Sequence, residues 1–188
     1  AAGGGLTSGT LTLANTANTH SGRTNADYVG LGYTLAVTRI DNGGVASSLG
    51  TSSANIGLNG GRLKYIGTGA QTSNLGLHIA SGGAILEAAG ATSADTFSFS
   101  GAPTYTAANS ARAITLTGVN TGDNTLAFVF GNNGTGVNTL TKNGTGTWVL
   151  SQANTFTGAT KINDGILKLT NNLALQNSPL DTSGAGVL

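Results

Sequence analysis

The chain has no cysteine and no methionine, and only two prolines and one tryptophan among its 188 residues. Without cysteine there is no disulfide framework, no thiolate nucleophile and no zinc–thiolate site. A secreted protein built this way rests on its backbone ladder and core alone. The missing initiator and the opening Ala1-Ala2-Gly3 read as a processed chain or a segment of something longer. Charge is equally scarce: eight Lys and Arg against seven Asp and Glu give a net charge of +1. That balance lacks the basic footprint of a nucleic-acid binder. It also lacks the self-repulsion that keeps disordered chains open. No stretch approaches the ~18 apolar residues that cross a bilayer as a helix. Helix formers are too few for an all-α fold.

What is present is small and polar. Gly (31), Thr (29), Asn (19) and Ser (15) make up half of the chain, while Leu, Ile, Val and Phe together supply less than a quarter. Short alternating runs recur from end to end, among them Leu11-Thr12-Leu13, Leu63-Lys64-Tyr65, Leu77-His78-Ile79, Phe97-Ser98-Phe99 and Leu126-Ala127-Phe128-Val129-Phe130. Apolar residues at i and i+2 with polar or small ones between are the period of a half-buried strand. Asn59-Gly60, Asn133-Gly134, Asn143-Gly144 and Asp164-Gly165 separate the runs, and such dipeptides accept the positive φ of tight turns.

A degenerate repeat underlies the runs: a polar residue, one or two glycines, then a strand. Its first glycines are Gly9, Gly43, Gly60, Gly82, Gly165 and Gly184, with gaps near multiples of 17 to 22. A period near 20 with a turn glycine at one corner of each coil predicts an all-β fold, a parallel β-solenoid. Eight or nine coils follow, a rod of about 40 Å at ~4.8 Å per coil. Its core would be a narrow apolar column, which is how so small an apolar fraction can suffice. Parity then predicts that Leu63, Leu77, Ile79, Phe97, Phe99, Leu116, Phe128, Phe130, Leu150 and Leu167 are buried, with Lys64, His78, Ser98, Thr115 and Lys168 exposed.

Residues 138–169 read NTLTKNGTGTWVLSQANTFTGATKINDGILKL. This segment resembles the passenger-associated transport repeat of bacterial autotransporters, also called the autotransporter-associated β-strand repeat. The pattern falls on Leu140, Lys142, Gly144, Gly146, Leu150, Asn154, Phe156, Gly158, Ile162, Gly165 and Leu167, with Gln152 and Phe156 as mild departures. Arg62 to Ser100 and Ile114 to Phe130 also look like the neighbours of this repeat in large secreted bacterial proteins. The resemblance implies a right-handed parallel β-helix, export from the cell and a surface or extracellular structural role. It implies no catalysis and carries over no functional residue.

A polysaccharide-active β-helix would need carboxylates clustered on neighbouring coils. The acids are Asp27, Asp41, Asp95, Asp123, Asp164, Asp181 and Glu87, and only Asp164 and Asp181 have a coil-like separation. Asp164 is better read as the start of an Asp-Gly turn. His20 and His78 are widely separated in the chain, and His78 has outward parity. Gly67-Thr68-Gly69 and Gly144-Thr145-Gly146 lack the third glycine of a dinucleotide fingerprint. Thr-x-Thr at 10/12, 104/106, 115/117, 139/141, 145/147 and 155/157 could be an ice-ordering array or an ordinary outward strand face, and its uneven spacing favours the latter. Tyr28, Tyr33, Tyr65, Tyr105 and Trp148 could line a sugar groove, although Trp148 shares parity with Leu150 and should face inward. Asn133 and Asn143 begin Asn-Gly-Thr sequons that read as turns.

The expectation is a single solenoid domain over 1–188, or a slice of a larger repetitive protein, with no enzymatic, cofactor or metal site. Three functions stay open: a secreted fibre or surface-layer component, an adhesin or glycan-binding passenger, and a degenerate polysaccharide-active enzyme. The expected partners are other copies, stacked head to tail through terminal coils that carry no evident cap, and cell-surface glycans.

Overall fold

The computed structural model describes residues 9–22, 25–26 and 32–188. Among them every regular element is a strand, and the strands form three sheets. The first sheet contains β1 (Gly9–Leu13), β3 (Tyr33–Val37), β5 (Arg62–Tyr65), β8 (Ala84–Ala88), β11 (Ala113–Gly118), β13 (Thr139–Lys142), β15 (Thr160–Ile162) and β17 (Leu180–Asp181). The second contains β2 (Asn25–Ala26), β4 (Ile56–Leu58), β7 (Leu77–Ile79) and β10 (Thr104–Tyr105). The third contains β6 (Gln71–Ser73), β9 (Phe97–Phe99), β12 (Asn124–Leu126), β14 (Thr147–Leu150) and β16 (Ile166–Leu169). Strand pairs are parallel, and strands of one sheet stack in chain order. The protein is a parallel β-solenoid.

One outward column shows its pitch. Thr10, Thr34, Arg62, Ile85, Thr115, Thr141, Lys161 and Asp181 are successive partners across the first sheet. Their numbers show steps of unequal length, longest from Ile85 to Thr115 and shortest from Thr141 to Lys161 and from Lys161 to Asp181. The solenoid therefore makes about seven turns, not eight or nine. A period near 20 holds only for the last two steps; earlier coils carry extra residues in their corners, where loop length is cheap. The repeat glycines do not share one corner either. Gly60 donates to the Gly83 carbonyl at the entry to the first sheet. Gly144 and Gly165 stack at its exit, where a Cβ on Gly165 would lie 2.3 Å from the Gly144 carbonyl.

The inward columns form the core. Leu35, Leu63, Leu86 and Leu116 are aligned in register, and all are buried. Tyr65 from the same sheet and Phe97, Phe99 and Trp148 from the third sheet pack with them, with ring centroids of 5.4, 5.5 and 5.2 Å from Phe97 to Tyr65, Phe99 and Trp148. In the last coils no strand closes the second side. Phe128, Phe130, Phe156 and Ala174 fill it instead, with Phe130 and Phe156 4.9 Å apart. All ten residues assigned inward by parity are buried. Of the five residues expected to be exposed only Lys168 is; Lys64, His78, Ser98 and Thr115 face outward but are half-covered, because the coils above and below stack against them.

Phe128 is 3% exposed, so Phe128→Ala should cost about 3–5 kcal/mol in a urea titration. Truncating its exposed neighbour Val129 should stay within about 0.5 kcal/mol.

Candidate functional site

The outer face of the first sheet carries the most structured group of charges. Arg62 and Lys64 project from β5, and Glu87, the only glutamate, lies directly opposite Lys64 on β8. The Glu87 carboxylate accepts a hydrogen bond from Arg62 Nη1 and pairs with Lys64 Nζ at 3.0 Å. Its side chain is 12% exposed, against 41% for Arg62 and 33% for Lys64. The acid thus lies beneath two cations. Burial pushes its carboxyl up, but the hydrogen bonds and charges of Lys64 and Arg62 outweigh this and hold it below the usual carboxylate range. On the side toward β1 the cluster borders a shallow depression of about 260 Å³, rimmed by Thr10, Thr12 and Thr34 and floored by Ala36.

The sequence candidates fall elsewhere. Asp164 Oδ1 accepts the Gly165 N–H at 2.7 Å, as an Asp-Gly turn requires. Asp181 pairs with Lys161 at 3.7 Å and accepts the Ser183 N–H, so the two acids do not face each other. His78 is half-buried, with Nδ1 2.9 Å from the Thr104 hydroxyl. Asp27 and Tyr28 lie outside the described residues. Tyr65 and Trp148 are core, Tyr33 and Tyr105 are half-buried, and no aromatic groove forms among the described residues. Asn133 is buried, with Nδ2 donating to the Ala107 and Ser110 carbonyls, which fits a turn and not an open sequon. Of the Thr-x-Thr pairs, 10/12, 115/117 and 139/141 share the outer face of the first sheet; Thr141 stacks on Thr115, but the Arg62, Lys64, Ile85 and Glu87 rows separate both from 10/12.

The sequence reading missed a set of buried polar rungs. Asn124 Oδ1 accepts the Phe97 N–H one coil back (3.2 Å), and its Nδ2 donates to the Thr147 carbonyl one coil on (3.1 Å). Asn154 repeats this between Phe130 N–H (2.8 Å) and the Ala174 carbonyl (3.0 Å). Asn138 accepts the Arg112 N–H at 2.7 Å. Lys142 occupies the leucine column itself, between Leu116 and Ile162, and is fully buried. Its Nζ donates to the carbonyls of Asn143, Gly144 and Asp164 at 2.8, 2.6 and 3.1 Å. Burial pulls this ammonium down to about 8, against the opposing pull of the Asp164 charge. Gly165, at φ 66°, lies beneath it, and a Cβ there would come 2.7 Å from Nζ. Parity with Leu140 and Leu126 is the available signal for Lys142 and Asn124.

The family described as passenger-associated-transport-repeat matches residues 8–27 and 140–169. The chain carries passenger-associated transport repeats. It is also 48% identical over 142 residues to the adhesin BmaC autotransporter of Brucella suis biovar 1 (strain 1330), a stretch covering 73% of this chain and 4% of that protein. The chain thus spans 4% of the length of this curated relative. No solved structure matches. The second matched segment coincides with the resemblance visible in the sequence; the first lies outside it. Asn18-Thr19-His20-Ser21-Gly22 lines up with Asn154-Thr155-Phe156-Thr157-Gly158, with histidine where the repeat has an aromatic. Asn18 Nδ2 donates to the Ser48 carbonyl at 3.1 Å, the same forward reach that Asn154 makes.

Two outcomes follow from this geometry. Asn124→Ala leaves the Phe97 N–H and the Thr147 carbonyl unpaired and should cost about 2–4 kcal/mol by urea denaturation, while Thr125→Ala on the outer face should be near neutral. Because the folded-state pKa of Glu87 is depressed, its contribution is present above the ordinary carboxylate pKa and is lost as pH falls through the lower folded value. The stability gap between the wild type and Glu87→Gln should therefore be widest above about pH 5 and close as the solution is acidified.

Proposed function

We propose that this chain is a rigid section of an adhesin-type autotransporter passenger, held at or beyond the bacterial surface, with a binding role and no catalytic one. The observation that carries the reading is the 48% identity to an autotransporter adhesin, joined to a solenoid whose outer face runs along eight stacked strands. A stack of parallel coils suits such work. Its backbone is fixed by the ladder, so outward side chains present a surface with little entropy left to lose on contact. Among the described residues the acids sit in turns and ion pairs, not as a spaced pair across a cleft, which supports a binding role over hydrolysis. Assembly into a fibre or surface layer by stacking further coils, this chain's own or another copy's, is the second reading, and the parallel ladder would continue across such a junction without change of geometry.

Beads coated with the purified chain should adhere to cultured epithelial cells many-fold above albumin-coated beads and release no reducing ends from polysaccharides. Background adhesion would overturn the adhesin reading. Polysaccharide turnover, abolished by Asp164→Asn, would replace it with an enzymatic one. Concentration-dependent growth of particle length in light scattering would favour the fibre.

A further inference from the structure

The protein as a whole is close to neutral, yet one face concentrates positive charge toward solvent. Arg62 and Lys64 stand over Glu87, so an approaching molecule meets the cations before it meets the acid. Glu87 engages Nη1 of the Arg62 guanidinium, and the Lys64 ammonium keeps donors to spare. Beside them, Thr10 and Thr34 continue the Arg62 column and Thr12 and Ala36 continue the Lys64 column, in direct register. The small side chain of Ala36 makes the dip between Thr12 and Lys64, and the threonines ring it with hydroxyls. Three strands at ~4.8 Å spacing set these groups over about 10 Å, a length suited to two sugar rings and longer than one phosphate needs.

We propose that the outward face of β1, β3 and β5 binds an anionic polysaccharide. Its carboxylate or sulfate groups meet Arg62 and Lys64, and its hydroxyls meet Thr10, Thr12 and Thr34. The proposal deepens the adhesin reading and rests on it. Charge selects the ligand's sign. The hydroxyl rim favours a sugar over a lipid surface, because the depression offers only Ala36 and Ile66 as apolar contacts.

The test is calorimetric titration of the intact chain with heparin fragments (sulfated), oligogalacturonate (carboxylated), dextran (neutral) and phosphatidylserine vesicles. At least one of the two polyanions should bind and weaken with added salt, while dextran should not bind. Arg62→Gln/Lys64→Gln should weaken binding at least tenfold, and Lys161→Gln/Lys168→Gln should leave it unchanged. Glu87→Gln should tighten binding a few-fold, because it frees both cations, and this direction is opposite to that of structural damage. If Glu87→Gln fails to fold, Ile85→Lys adds a cation beside Arg62 without removing a proposed contact and should tighten binding instead. The proposal is overturned if neither polyanion binds or if both cation pairs matter equally. Weakening by the variant meant to tighten, or preferential binding of the vesicles, would also sink it. Beads that still adhere to cells when neither polyanion binds would leave the adhesin reading standing and remove this site.

Discussion

Every feature of this protein depends on one constraint: each coil must return to the height at which its strand pairs with the coil beneath. In a parallel ladder the pairing is residue to residue, so the side chain at one position is stacked on its counterparts above and below. That requirement turns a chain with few apolar residues into a solid. Leu35, Leu63, Leu86 and Leu116 need only one another and the rings around Phe97 to be enclosed. The same constraint aligns the threonines, cations and acid on the opposite face of those strands.

The interior is not wholly apolar, and its polar members serve the same return. Asn124 and Asn154 each span a coil boundary, taking an N–H from one side and giving to a carbonyl on the other. They supply hydrogen bonds where the ladder bends out of strand geometry and backbone groups would otherwise be buried unpaired. Lys142 does this at the exit corner with an ammonium, and its position over Gly165 explains why the repeat pairs a lysine with a downstream glycine. The corner is a cage of carbonyls whose floor has no room for a Cβ.

Much of this is legible in the sequence, because strand parity is a local property. Leu77-His78-Ile79 and Phe97-Ser98-Phe99 read correctly from their own alternation, and Asp164-Gly165 from a dipeptide. Coil length is not legible in this way. The step from Ile85 to Thr115 is half as long again as that from Thr141 to Lys161, yet both return to the same column, so no fixed period exists to be counted. The cation pair over Glu87 is hidden for a similar reason: Lys64 and Glu87 are distant in the chain and become neighbours only once that particular step is known. Lys142 and Asn124 are readable by parity, but the habit of turning polar residues outward hides them.

The unequal steps have a mechanical consequence. Each coil is bound to the rest chiefly through its two flanking coils, so tension along the chain loads one ladder rung set at a time. Coils would peel in sequence, each releasing roughly 70–100 Å of slack, the longer coils giving more. A long passenger made of such coils would lengthen under flow in discrete increments, dissipating work at every rupture while the remaining stack keeps its register. Re-pairing needs only the next coil as its template, so the extension would be recoverable when the load is removed.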